Sequence, residues 1–186
     1  MDPARRPPEA PRIVPLPDPA SRLAVLIPAL NEEGRVGEVV ARVRALYPQS
    51  DVVVINDGST DGTAAEAEAA GARVLGHAFQ MGYGAALQTG YKYALRHGYP
   101  LVVQMDGDGQ HIPEEIDRLI ERIGQGDVDF VVGSRFLGRG DYAMPWARRL
   151  GSSLFSTLTS AILRRPVTDP TSGFQVLNTR TLRFYR

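Results

Sequence analysis

Three short apolar runs, Leu23-Ala24-Val25-Leu26-Ile27, Val52-Val53-Val54-Ile55 and Leu101-Val102-Val103, each break off at a cluster of carboxylates, amides and glycines. Runs this short and this uniformly apolar read as strands buried on both faces, which requires helices on both sides of a mostly parallel sheet. The text between them supplies the helices. Val36, Val39, Val40, Val43 and Leu46 recur at helical spacing, an alanine-rich helix is expected over 64–70 with Gly71 as its C-cap, and another over 84–96 closed by Gly98. Arg73-Val74-Leu75 reads as a short third strand and residues 129–133 as a fifth. Between these, Pro113, Glu114 and Glu115 open a helix striped by Ile116, Leu119, Ile120 and Ile123. Strand alternating with helix means an α/β fold, in which ligands bind beyond the carboxyl ends of the strands.

The polar clusters fall at those ends. Asn31-Glu32 follows the first strand, Asp57 the second, Asp106 and Asp108 the fourth, and Ser134-Arg135 the fifth. The acid pair is the sharpest signal. In extended backbone, residues i and i+2 point to the same side, so both carboxylates can face one hard cation, while Gly107 and Gly109 let a bulky anion approach. A cation held this way keeps open positions for phosphate oxygens, the usual arrangement for Mg²⁺. Other sites are excluded. Gly82 and Gly84 do not complete a dinucleotide fingerprint, no Gly-Lys-Ser/Thr occurs, no Ser sits in a nucleophile elbow, and His77, His97 and His111 lack zinc spacing. A nucleoside diphosphate with a metal fits what is left.

With 186 residues the chain has the size of one domain. Lys and Arg number 21, as do Asp and Glu, so overall charge gives no argument for nucleic acid. The lack of cysteine removes disulfides, thiolate metal sites and a Cys nucleophile. No apolar run approaches the roughly 20 residues that span a bilayer, and the N-terminus has no signal-peptide core. A cytoplasmic location is expected, peripheral on the cytoplasmic membrane face at most. Residues 1–21, punctuated by Pro3, Pro7, Pro8, Pro11, Pro15, Pro17 and Pro19, are expected to form an extended, disordered tail before a domain over 22–186.

Pro28-Ala29-Leu30-Asn31-Glu32, residues 56–63 (Asn-Asp-Gly-Ser-Thr-Asp-Gly-Thr), residues 106–111 (Asp-Gly-Asp-Gly-Gln-His) and Gly133-Ser134-Arg135 together resemble the family 2 glycosyltransferases of GT-A fold, a Rossmann-like three-layer α/β architecture with a mostly parallel central sheet. Gly82-Tyr83-Gly84-Ala85-Ala86 and residues 169–174 (Asp-Pro-Thr-Ser-Gly-Phe) narrow the likeness to the dolichyl-phosphate mannose synthase and polyprenyl-phosphate glucosyltransferase branch, over roughly residues 23–178. The resemblance implies a metal-dependent, inverting transfer of a hexose (mannose or glucose) from GDP-mannose or UDP-glucose to polyprenyl or dolichyl phosphate, with Mg²⁺ or Mn²⁺ as cofactor. It implies that Pro28, Leu30 and Glu32 line the base and ribose, and that Asp57, with Ile55 packing nearby, bonds the nucleotide. Asp106, Asp108 and Gln110 would hold the metal and diphosphate, with backbone contact from Gly107. Asp108 and Arg135 would carry catalysis, and Arg135, Arg148, Arg149, Asp169 and Ser172 would form the acceptor side, where a planar guanidinium suits phosphate.

Two departures stand out. Many relatives have Asn at position 80 and Lys at position 83, where this chain has Gln80 and Tyr83. The chain also stops at Arg186, whereas relatives continue with another strand and often membrane helices, which leaves open a truncated C-terminus with an incomplete acceptor side. A lipid phosphate is already ionised near neutral pH, so the expected task is positioning and charge stabilisation, with no strong base; a hydroxyl acceptor would need one, and Asp169 is the candidate by position. Leu150, Leu154, Leu158 and Ile162, with Trp146, Arg148 and Arg149 at one end, read either as a core helix or as an interfacial helix that meets the membrane. The expected partners are the nucleotide sugar, the lipid acceptor, the membrane surface and a membrane protein there. The alternatives are a family 2 transferase acting on a glycan or soluble hydroxyl, a nucleotidyltransferase, and an inactive module that binds nucleotide sugar.

Overall fold

The computed structural model describes residues 22–109, 111–134, 169 and 172–185. The tail over 1–21, Gln110, Arg135, Arg148, Arg149 and the stripe between 145 and 163 lie outside the described residues.

The chain alternates as its pattern requires: β1 (Leu23–Ala29), α1 (Val36–Leu46), β2 (Asp51–Asn56), α2 (Thr63–Ala69), β3 (Arg73–Gly76), α3 (Tyr83–Arg96) and β4 (Leu101–Gln104). A 3₁₀ turn at Pro113–Glu115 leads into α4 (Ile116–Gly124), then β5 (Phe130–Val132), β6 (Gln175–Asn178) and the short α5 (Thr179–Leu182). The expected helix ends hold: Gly71 and Gly98 take φ of +92° and +70°, the left-handed conformation that a C-cap uses and that glycine adopts without a side-chain clash.

The described strands form one sheet in the order β3-β2-β1-β4-β6-β5. β1 pairs in parallel with β2 and with β4, and β2 with β3. β6 runs antiparallel to both β4 and β5, so the mostly parallel sheet carries one reversed strand. That strand is absent from the sequence reading.

Alternation along β1 explains the apolar runs. Val25, Ile27 and Ala29 pack toward α1 and α4 with Val40, Val43 and Ile116, while Ala24 and Leu26 pack toward α3 and α5 with Tyr91, Ala94 and Leu182. Neither face is left for polar side chains, and all seven residues of β1 are buried. Each fully buried aliphatic side chain contributes about 1.5–3 kcal/mol of transfer free energy, so the central strands anchor the rim loops. Among the described residues, no helix is long and apolar enough to cross a membrane.

Candidate active site

β1 has its neighbours β2 and β4 on opposite sides, and the strand order reverses there, which makes the carboxyl ends of β1 and β4 the switch point where such sheets bind ligands. A cleft of about 330 Å³ opens at that place, lined among others by Pro28, Leu30, Glu32, Asp57, Asp106 and Asp108. Gly107, Gln80 and Tyr83 also face it. Residues from three separate strand ends thus meet in one cavity.

The loops after β1 and β2 are knitted to each other. Asn31 holds a left-handed φ of +54°, and its backbone N–H donates to Ser59 Oγ (2.9 Å) while its Oδ1 accepts from Thr60 N–H (3.0 Å). Glu32 N–H donates to Thr63 Oγ1 (2.8 Å), Gly62 N–H to Glu33 Oε2 (3.1 Å), and Gly37 N–H to Glu66 Oε1 (2.9 Å). Much of the 56–63 motif therefore serves as a brace for residues 30–34. It leaves the Glu32 carboxylate at the cleft wall, where Oε2 is buried and 2.8 Å from Arg35 Nη2, though not in hydrogen-bond alignment. Burial raises the Glu32 pKa, and the nearby Asp108, Asp61 and Asp106 add to the rise against Arg35.

Asp57 is turned inward. Its Oδ1 accepts from His77 Nδ1 (2.7 Å) and Met81 N–H (2.8 Å), and its Oδ2 from Gly82 N–H (2.7 Å). A carboxylate only accepts, so His77 Nδ1 carries the proton, and the other ring nitrogen meets Thr89 Oγ1 at 2.9 Å. Asp57 lines the cleft and at the same time fixes the segment from β3 to α3. Ile55 lies beneath, fully buried against α3, and is not a lining residue. The sequence reading weighs His77 only as a zinc ligand, although its place at the end of β3 follows the same rim rule as Asp57.

The acid pair sits differently from the strand-alternation argument. β4 ends at Gln104, and Gly107 and Asp108 form a turn, so both acids reach the cleft through a bend of the chain. Asp106 Oδ1 accepts from the Tyr83 hydroxyl (2.8 Å), and Gln104 Nε2 donates to that same hydroxyl (3.2 Å) and to the Gly173 carbonyl (3.0 Å). Gln104 Oε1 accepts in turn from the Tyr91 hydroxyl. Burial, with Asp106 adding to it, pushes the Tyr83 phenol well above its ordinary pKa, so it stays a proton donor. Asp106 N–H donates to His111 Nδ1 (3.0 Å), and the His111 ring stacks on Phe174. A Cβ on Gly173 would come within 2.5 Å of Asp106 Oδ2, so the carboxylate occupies space that only glycine leaves open.

Ser172 is buried, its Oγ accepting from Phe174 N–H (3.2 Å), and Asp169 is buried at 1% exposure. Ser134 follows β5, and Gly133 before it packs against Phe174. Among the described residues no group of three or more His, Asp or Glu is assembled as a metal cage. Two carboxylates on a shared cleft are a hard-oxygen donor set that fits Mg²⁺ or Mn²⁺ while leaving positions for phosphate.

The model of glycosyl transferase family 2 matches residues 24–185. The chain belongs to that family. This family 2 protein is 34% identical over 171 residues to polyprenol monophosphomannose synthase of Mycolicibacterium smegmatis, covering 88% of this chain and 64% of that one. It is 34% identical over 168 residues to undecaprenyl-phosphate mannosyltransferase of Micrococcus luteus, covering 87% of this chain and 68% of that one. It therefore spans about two thirds of the length of these relatives, and the expected likeness to the polyprenyl-phosphate branch is borne out. Its fold matches the crystal structure of glucosyl-3-phosphoglycerate synthase from Mycobacterium tuberculosis in complex with Mn²⁺, UDP and glucosyl-3-phosphoglycerate, with a TM-score of 0.67 at 23% identity, over 86% of this chain and 57% of the other. The chain has the GT-A fold.

Proposed function

We propose that this family 2 transferase moves a hexose, mannose or glucose, from a nucleoside-diphosphate sugar to polyprenyl phosphate, with inversion at the anomeric carbon and with a divalent metal. The observation that carries the reading is the meeting of Asp106, Asp108 and Glu32 in the cleft at the β1/β4 switch point. The names of the two relatives supply the acceptor class.

In this reading Pro28, Leu30 and Glu32 receive the base and ribose, and the backbone of Gly107 faces the diphosphate. Asp106, Asp108 and Gln110 would hold Mg²⁺ or Mn²⁺, which neutralises charge on the leaving nucleoside diphosphate when bound. Tyr83 holds Asp106 in place, and Asp57 with His77 fixes the turn from which Tyr83 projects. The chain supplies orientation and charge stabilisation, because the attacking lipid phosphate needs no deprotonation. Arg135, Arg148 and Arg149 would meet that phosphate, with Asp169 and Ser172 on the acceptor side, and the protein would work peripherally at the cytoplasmic face of a membrane.

The test is a matrix of GDP-mannose and UDP-glucose against polyprenyl phosphate in detergent micelles, with analysis of the lipid product. Transfer to the lipid from one of the two donors, abolished by a chelator, is expected. Transfer only to a water-soluble hydroxyl would move the protein to the reading as a glycan or soluble-acceptor transferase. Nucleotide-sugar binding with no turnover would mark it as a binding module.

A further inference from the structure

Tyr83 stands where its ring is half exposed and its hydroxyl is not idle. The ring forms part of the wall of the donor cleft and, on its other side, of a larger cavity of about 660 Å³ toward α3 and β6. The hydroxyl sits at the crossing of a polar chain that runs Tyr91, Gln104, Tyr83, Asp106. Gln104 is buried at 2% exposure, and its amide has no freedom to turn: Oε1 takes the Tyr91 proton, and Nε2 serves both the Gly173 carbonyl and the Tyr83 oxygen. The Tyr83 oxygen, accepting from Gln104, has its own proton to give, and the acceptor in reach is Asp106 Oδ1.

The backbone is fixed as tightly. Gly82, with φ of +95°, gives its N–H to Asp57, and α3 begins at the next residue, so the direction in which Tyr83 leaves the chain is set by a buried carboxylate. From the opposite side the bare Cα of Gly173 leaves room for both groups, since a Cβ there would fall 2.9 Å from the Tyr83 hydroxyl and 2.5 Å from Asp106 Oδ2.

We infer that Tyr83 is a positioning residue: by donating to Oδ1 it holds the Asp106 carboxylate in the one orientation in which it serves as a ligand to the divalent metal. The inference rests on the proposed function, because the metal is part of that reading. A hydrogen-bonded partner behind a ligating carboxylate costs 10–100-fold in metal affinity when removed. The ring of Tyr83 keeps its packing in Tyr83→Phe and Gln104 keeps its bond to Gly173, so the variant removes the donor to Asp106 and the acceptor of one Gln104 N–H.

The experiment measures Mn²⁺ uptake by the full chain in the presence of UDP or GDP, from the electron paramagnetic resonance signal of free Mn²⁺, for the parent and Tyr83→Phe. Thermal unfolding of both in the absence of metal shows that the variant is folded. Tyr83→Phe is expected to bind Mn²⁺ about 10–100-fold more weakly, with the donor KM returning toward the parent value once Mn²⁺ is saturating. Binding as tight as the parent's, or tighter, overturns the role of Tyr83 and leaves the proposed function standing. A parent that takes up no Mn²⁺ with either nucleotide overturns the metal in the proposed function, and this inference with it.

Discussion

Asp57 Oδ1, on a buried side chain, lies 2.7 Å from Nδ1 of the partly buried His77, twenty residues further along the chain. The pair ties the end of β2 to the end of β3. Because the same carboxylate also holds Met81 and Gly82, it passes order on to Tyr83 and from there to Asp106.

The stability given by this carboxylate should depend on pH. Burial by itself would raise the Asp57 pKa, but the bond from His77 and those from Met81 and Gly82 outweigh it and hold it below the ordinary range. A folded pKa below the unfolded one, which is about 3.9, gives stability that is complete above the unfolded value and is lost as pH falls through the folded one. Asp57→Asn is expected to be less stable than the parent near neutral pH, with the difference shrinking below about pH 4. Denaturant titrations across that range check it; a gap that stays constant into strong acid would refute the assignment.

Asp108→Asn is expected to keep the fold, since the residue is half-buried in a rim turn, and to lose transfer activity. Charge stabilisation by a metal is worth several kcal/mol, so the loss should be about 100-fold or more in kcat/KM. Steady-state kinetics with the matched donor decide this. Near-parental turnover would remove Asp108 from the metal site.

Gly173→Ala tests the floor beneath the acid. The new Cβ would sit 2.5 Å from Asp106 Oδ2, so the carboxylate must swing away from Tyr83. The expected result is about 10–100-fold weaker Mn²⁺ binding, as for removing any group that orients a ligating carboxylate, with little change in Tm. An unchanged Mn²⁺ isotherm would mean that the acid has room to spare.

Asn31 separates backbone strain from hydrogen bonding. Asn31→Gly loses the bond to Thr60 but accepts φ of +54° freely, whereas Asn31→Ala loses the bond and strains the backbone. The alanine variant should be the less stable of the two by roughly 1–2 kcal/mol. Equal stabilities by urea unfolding would show that the loop relaxes to another conformation.

Much of this was legible in the residues. The runs of β1, β2 and β4 announce themselves because they are buried on both faces, and the rim rule then puts Glu32, Asp57, Asp106 and Asp108 in one place. β6 was not legible: four residues, Gln-Val-Leu-Asn, with polar ends and no run to count, become a strand only because β4 and β5 flank them. The contacts that refine the site were hidden for a related reason. Nothing local in Gly173 tells that Asp106 fills its side-chain space, and nothing in His77 tells that Asp57 awaits it across a strand crossover. Pattern reports what a residue is near in sequence, and these depend on what the sheet brings near in space.

The reversed strand has a consequence for how the protein is made. Both the free edge of β4 and the amide of Gln104 wait for partners that are synthesised late, since the Gly173 carbonyl that Gln104 reaches lies 69 residues downstream. Until then the emerging chain presents an apolar strand with one unpaired edge, the feature that templates association with other chains. Pairing at such distance is also slow. The interval between the appearance of Gln104 and that of Gly173 at the ribosome is therefore when this chain most needs protection, and a pause or premature stop within it would leave a sheet that aggregates although most of its core has already been made.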